Sequence, residues 1–184
     1  MKYRKNNDNA KKTNLLVPPS ILQSLGIGKY IAISSIYYKK PIIMMEDGSV
    51  NVNHGLPIEN LQPGNWWERF LVVSCGEKVA FYSTCHKRFL RMESDGKVNG
   101  YGGQIDNGDG GQIQLPTDWE CERFQLFPED EGRRFLIFNP HAKRFLRVCP
   151  DGGDGYSGVF DDPKTIPPLH EWGAERLILT NHPF

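Results

Sequence analysis

The sequence is built around one hairpin motif, clearest in the stretch His86-Lys87-Arg88-Phe89-Leu90-Arg91-Met92-Glu93-Ser94-Asp95-Gly96. An Asp-Gly pair after a short apolar segment is a strong hairpin signal, because both residues tolerate positive φ. The motif returns as Ala142-Lys143-Arg144-Phe145-Leu146-Arg147-Val148-Cys149-Pro150-Asp151-Gly152 and, more altered, as Lys39-Lys40-Pro41-Ile42-Ile43-Met44-Met45-Glu46-Asp47-Gly48. Three copies of one hairpin predict an architecture of three related units.

Two further markers keep the same spacing. Each unit opens with an apolar run rich in β-branched and aromatic residues, at 30–34, 79–83 and 135–139, which is typical of a buried strand. Each unit closes with a segment in which a tryptophan precedes Glu-Arg-Phe or Glu-Arg-Leu, and these triplets begin at 68, 122 and 175. Independent markers that share one period indicate an internal repeat.

The number of units distinguishes between the possible all-β architectures. Propellers usually need at least about four blades to close, whereas three four-stranded units fit a β-trefoil, a six-stranded barrel capped by three hairpins. The sequence therefore predicts an all-β chain with a β-trefoil domain at 29–184 and a basic, flexible N-terminal extension at 1–28. We call 29–76, 77–131 and 132–184 units one, two and three.

Composition narrows the possible partners. Lysine plus arginine equals aspartate plus glutamate at 22 each, so there is no overall charge to attract nucleic acid, and no nucleic-acid partner is expected. No apolar run approaches the roughly 18 residues of a membrane span, and no apolar segment follows the basic start as in a secretory signal. The four cysteines lack metal or redox spacing and are expected to be free thiols, which favours a cytoplasmic location.

Catalytic motifs are absent from the sequence. It has no GxSxG, HExxH, Walker or paired-cysteine pattern, and its five histidines are scattered. Asp106-Asn107-Gly108-Asp109 offers oxygen ligands but lacks the glutamate of an EF-hand loop. These observations predict a chain that is not an enzyme, with no catalytic residue, metal or cofactor.

The combination of Lys-Arg-Phe-Leu, Asp-Gly and a closing Trp-x-x-Glu-Arg-Phe resembles the fascin-like β-trefoil family. The resemblance covers 29–184 and is good in units two and three, but poor in unit one, where Pro41 occupies the aromatic position. It implies a non-catalytic module that binds a protein surface, with actin as the partner.

The basic turns are the candidate partner-binding residues under this interpretation. If the three units are arranged symmetrically, the turns form a cationic rim for an acidic protein surface or, less strongly, for anionic lipid. Alternatively, these cations only solubilise the turns and discourage edge-to-edge pairing. The candidates are Lys39, Lys40, His86, Lys87, Arg88, Lys143 and Arg144.

The alternative function is that of a carbohydrate-binding module or lectin, which stacks exposed aromatics on sugar rings and binds hydroxyl groups with loop residues. Trp66 and Trp67 are adjacent, so on a strand one of them faces solvent. The signature Gln-x-Trp of ricin-type lectins is missing, which weighs against this function. Trp119 and Trp172 are expected to fill the barrel, with use as a sugar platform the lesser alternative. The candidate sugar-binding residues are Trp66, Trp67, Tyr101, Asp106, Asp109 and Tyr156.

Overall fold

The computed structural model describes residues 28–52, 57–64, 66–106, 112–150, 152–155, 158–164 and 173–181. The strands of these ranges are β1 (Tyr30–Ser35), β2 (Ile43–Met44), β3 (Val50–Asn51), β4 (Phe70–Cys75), β5 (Lys78–Ser83), β6 (Arg88–Phe89), β7 (Arg91–Met92), β8 (Val98–Asn99), β9 (Gln125–Glu129), β10 (Arg134–Asn139), β11 (Arg144–Phe145), β12 (Arg147–Cys149), β13 (Gly152–Asp154) and β14 (Leu177–Asn181). Short 3₁₀ turns occupy Ile58–Asn60 and Asp130–Gly132. The predicted all-β class is confirmed for the described part of the chain. The predicted extension at 1–28 lies outside it, except for Gly28.

Six strands form a closed ring. Antiparallel pairing runs in the order β5-β4-β1-β14-β10-β9. Val79 on β5 and Phe124, next to β9, then exchange two backbone hydrogen bonds of 2.9 and 2.8 Å. The remaining short strands make the hairpins β2–β3, β7–β8 and β12–β13, while β6 and β11 extend the ring through β5 and β10. A closed ring leaves few free strand edges.

The same local structure recurs along the chain. Strands β1, β5 and β10 are each six residues long, with a partly exposed first residue and five buried residues after it. They coincide with the predicted opening runs. In the turns that follow, Lys39, Lys87 and Lys143 all have positive φ, at 52°, 57° and 56°.

The core fills the ring. It takes buried side chains from all six strands, including Phe70, Phe81 and Phe135, and from the hairpins, including Met44 and Met92. Each such burial contributes about 1.5–3 kcal/mol. The closing glutamates, by contrast, are buried polar residues: Glu68, Glu122 and Glu175.

The hairpins interlock at one end of the ring. The amide of Gly100 donates to Gly48 at 2.7 Å, and the amide of Gly155 donates to Gly96 at 2.8 Å. A β-carbon on Gly100 would lie 2.9 Å from the sulfur of Met44. One on Gly155 would lie 2.7 Å from the sulfur of Met92, so a side chain at either glycine would require the methionine to shift. Within the described ranges, no helix has the length and apolar character needed to cross a membrane.

Candidate functional site

A cleft of about 210 Å³ opens in unit two, and we call it the Trp119 cleft. One wall is β7, and the other is the segment that leads into β9. The amide of Met92 donates to the carbonyl of Cys121 at 2.9 Å and holds the two walls together. The lining includes Arg91, Gly102, Asp118, Trp119, Glu120 and Glu122.

Trp119 is fixed by a turn and by aromatic packing. Its amide donates to Pro116 at 3.2 Å, and the guanidinium of Arg123 donates to the carbonyls of Pro116 and Thr117 at 2.9 and 3.1 Å. Its indole meets Phe89 edge to face, with ring centroids 6.5 Å apart. The side chain is half-buried, so one part is anchored while the rest faces the cleft.

Two glycines close the cleft on one side. A β-carbon on Gly102 would lie 2.5 Å from Oε1 of Glu122 and 3.4 Å from the Trp119 ring. Gly103, at φ 120°, also lies against Trp119. A side chain at Gly102 would require the loop or the Glu122 carboxyl group to shift.

The charges of the cleft fall into three groups. Glu122 is 3% exposed, and its Oε1 lies 3.7 Å from Nε of Arg91. Burial raises the pKa of Glu122, although the nearby Arg91 opposes the shift. Glu120 pairs with Lys78 and Arg123, each at 3.6 Å. Asp118 is exposed and pairs with no other described residue.

The residues that line the cleft can interact with a ligand in three ways. An indole offers an apolar face, Arg91 offers hydrogen-bond donors, and Asp118 offers a carboxylate acceptor. A small ring that carries hydroxyl groups on its rim and C–H groups on its face matches all three. Arg91, Asp118 and Glu122 were not among the residues predicted from the sequence. The available signal was the set of acidic residues at alternate positions around Trp119, namely Asp118, Glu120 and Glu122.

The basic turns of units two and three are tied to their own loops. Lys87 pairs with Asp106, and Lys143 pairs with Asp161 at 2.7 Å. The carbonyls of both lysines accept backbone hydrogen bonds of 2.8 Å from the residues that precede those aspartates. The two turns therefore clamp the loops that follow.

The neighbouring arginines also have intramolecular roles. Arg88 donates to Gly100 at 3.1 Å, and Arg144 donates to Gly155 at 3.1 Å and to Ser94 at 3.2 Å. In unit one, Lys39 is exposed and Lys40 is half-buried.

His86 is buried rather than displayed at the surface. It is 8% exposed, and its ring centroid lies 6.1 Å from that of Trp67. Burial lowers the pKa of His86, although Glu46 acts in the opposite direction. His86 is therefore poorly placed to contact a large partner.

The predicted sugar-binding aromatics are exposed but lie outside the cleft. Trp66 and Trp67 are 50% and 44% exposed. The expectation that only one of them faces solvent is wrong. They lie in a turn before β4 begins at Phe70, so strand alternation does not apply. Trp66 covers the guanidinium of Arg69, which in turn covers Tyr30.

The other predicted sugar-binding residues are dispersed. Tyr101 is 46% exposed and rests against Gly48, and Lys97 lies over its ring at 5.6 Å. Asp106 is engaged by Lys87. Asp109 and Tyr156 lie outside the described residues, as does Trp172. None of the candidates that are described lines the Trp119 cleft.

The described part of the chain contains no organised site for metal or thiol chemistry. No group of three or more histidine, cysteine, aspartate or glutamate residues there is placed to hold a metal ion. Cys75, Cys85, Cys121 and Cys149 are free thiols.

Comparison with solved structures shows a likeness of fold. No family model and no curated protein matches the chain. A solved structure, the GlcNAcα1-4Gal releasing endo-β-galactosidase from Clostridium perfringens, matches with a TM-score of 0.59 at 12% identity. The match covers 84% of this chain and 33% of that chain. The likeness shows a shared fold, and this chain spans about a third of the length of that enzyme.

This match corrects the prediction that the chain is not an enzyme. The fold is shared with a chain that is an endo-β-galactosidase, so the fold gives no ground for excluding catalysis. The exclusion relied on the absence of short motifs. Glycoside hydrolysis usually needs two carboxyl groups that the fold brings together from separate positions, and such a pair leaves no local sequence signature.

Proposed function

We propose that this chain is a β-trefoil that binds carbohydrate in the Trp119 cleft. The trefoil is supported by the closed six-stranded ring, by three hairpins, and by equivalent opening strands and left-handed lysines. The proposed domain is 29–184, with the three units defined above. The fold supports many ligands, so the function is argued from the site.

One observation carries the carbohydrate function: Trp119, Arg91 and Asp118 line the same concave site. Sugar sites combine an aromatic surface with a few polar groups that fix the hydroxyls. Most of the binding energy would come from the stacked ring face and from charge-assisted hydrogen bonds, which contribute about 1.5–3 kcal/mol each. The likeness to an endo-β-galactosidase that releases GlcNAcα1-4Gal supports galactose and N-acetylglucosamine as the first sugars to test.

Titration of the whole chain with methyl β-galactoside and methyl N-acetyl-β-glucosaminide, followed by saturation-transfer NMR, tests the proposal. A ring of about a dozen non-hydrogen atoms at roughly 0.3 kcal/mol per atom gives a Kd of about 1 mM. Asp118→Ala should weaken binding about tenfold, because it removes a charged acceptor. Glu77→Ala is the matched control, since Glu77 is an exposed carboxylate in the β4–β5 turn.

The variant Trp66→Ala locates the site. If sugar binding survives Trp66→Ala and falls with Asp118→Ala, the Trp119 cleft is the site. Loss of binding with Trp66→Ala alone would instead assign it to the exposed tryptophans outside the cleft. No detectable binding of either glycoside, or binding unchanged by both variants, contradicts the proposal. Release of p-nitrophenol from the corresponding p-nitrophenyl glycosides shows whether turnover accompanies binding.

The fascin-like relationship and binding of actin remain predictions, and co-sedimentation with actin filaments at low salt tests them. The pairing of Lys87 and Lys143 with loop aspartates reduces the charge available to an acidic partner. Carbohydrate binding is therefore the better supported function.

A further inference from the structure

The size of the Trp119 cleft limits what it can hold. Its volume of about 210 Å³ lies below the roughly 300–1,000 Å³ of typical small-molecule sites. The loop backbone at Gly102 and Gly103 lies against the Trp119 ring and bounds the cleft on that side. The geometry fits one sugar ring.

The charged residues of the cleft determine which sugar rings it can bind. The lining residues carry three carboxyl groups, but Glu122 faces Arg91 and Glu120 pairs with Lys78 and Arg123, which leaves Asp118 as the carboxylate that a ligand would meet. Arg91 already faces the buried Glu122 at 3.7 Å, so part of its charge is compensated within the protein. Asp118 has no cationic partner among the described residues and stands at the cleft wall next to Trp119.

A second negative charge held close to Asp118 would weaken binding. Two unit charges 4 Å apart repel by about 1 kcal/mol in bulk water and by about 4 kcal/mol near a protein surface. A uronic acid or sulfated sugar brought against Asp118 would experience this repulsion, whereas an uncharged ring would only hydrogen-bond to the carboxylate.

From these two features we infer that the Trp119 cleft binds a single uncharged sugar ring at the end of a glycan and rejects anionic sugars. The inference rests on the proposed carbohydrate function and adds the class of ligand. Asp118 is then a specificity-determining residue in addition to a binding residue.

Matched ligand pairs test the charge selection. Methyl β-galactoside is compared with methyl β-galacturonide, and methyl N-acetyl-β-glucosaminide with its 6-sulfate. Within each pair the ring is constant, and the change at C6 adds one negative charge. We expect the anionic member to bind at least about tenfold more weakly in low salt. The ratio should shrink as salt is raised to about 1 M, where the screening length falls to roughly 3 Å.

Asp118→Asn identifies the source of the selection. It removes the charge but keeps the shape and an acceptor oxygen, so we expect the preference for the uncharged member to narrow severalfold. Glu77→Gln, outside the cleft, should leave the preference unchanged. Equal or tighter binding of the anionic members overturns the inference while carbohydrate binding stands. A preference that Asp118→Asn leaves unchanged also overturns it.

Chain length supplies a separate readout. Lactose, which carries a terminal galactose, should bind within about twofold of methyl β-galactoside if only one ring is held. A gain of tenfold or more with the disaccharide overturns the single-ring assignment. Absence of binding by every uncharged probe overturns the inference together with the proposed function.

Discussion

Glu122 is a buried carboxyl group whose surroundings make the stability of this protein depend on pH. Its carboxyl group is buried beneath Gly102, with Arg91 as the facing cation. Burial disfavours the charged form and raises the pKa, because the loss of hydration outweighs the attraction to Arg91.

The raised pKa of Glu122 predicts a pH-dependent stability term. A folded-state pKa above the unfolded value means that the native state binds the proton more tightly, so the favourable contribution is complete below the unfolded pKa. It is lost as pH rises through the folded pKa. In urea titrations from pH 4 to pH 7, the wild-type protein should therefore lose stability relative to Glu122→Gln. Glu59→Gln, at an exposed position, is the control. A constant difference between wild type and Glu122→Gln across this range would contradict the shift.

At the residue scale, the sequence predicts some features of the structure and not others. The buried phenylalanines follow from local pattern and repeat position, whereas the positive φ of Lys39, Lys87 and Lys143 was not predicted. The cleft does not, because Arg91 and Asp118 lie 27 positions apart and meet through the Met92–Cys121 hydrogen bond. The exposure of both Trp66 and Trp67 also depended on where β4 begins, which a pattern of alternating residues does not reveal.

The hairpins are the elements that the sequence predicts best, although their turns form differently from the expectation. Gly48 and Gly96 have φ of 86° and 95°, but Asp47 and Asp95 do not adopt positive φ. Instead, each aspartate accepts a hydrogen bond from the amide two residues later, at 2.8 and 2.9 Å. Asp-Gly thus combines a side-chain-stabilised turn with one left-handed glycine.

The third hairpin contains a gap that a single substitution should fill. Val50, Val98 and Gly153 line one depression where the hairpins meet. A β-carbon on Gly153 would lie 3.6–3.7 Å from side-chain carbons of Val50, Ile42 and Leu146, which is ordinary contact. Gly153→Ala should therefore stabilise the protein by about 0.4–1 kcal/mol, since it also restricts the unfolded chain. Thermal unfolding measured by circular dichroism tests this.

Gly152 provides the matched control on the same strand. It has φ of 143°, and a β-carbon would lie 3.0 Å from the carbonyl oxygen of Val50. Gly152→Ala should destabilise the protein for both reasons. If the two substitutions have the same sign, the packing described for β13 is incorrect.

At the scale of the whole molecule, the ring joins distant parts of the sequence. Strand β14 pairs with β1 over five residues and with β10 at Leu177, so strands from units one and three complete the ring together. The repeated sequence markers predicted three related units, but they could not identify which surface would carry function. The repeat alone does not single out the Trp119 cleft, because Arg91, Trp119 and Glu122 all have sequence counterparts in unit three, at Arg147, Trp172 and Glu175.

This closure predicts that the described fold unfolds as one cooperative unit despite its three hairpins. Leu177 is fully buried and touches the common core, so Leu177→Ala should cost about 2–5 kcal/mol. Because the ring links all six strands, the loss should shift the denaturant midpoint equally for tryptophan fluorescence and far-ultraviolet circular dichroism. Thr180→Ala, on the same strand but only half-buried, should shift both midpoints far less. Separated transitions in the Leu177→Ala variant would show that the units unfold independently. The ring would then be a contact between three semi-autonomous units rather than the structure that stabilises them.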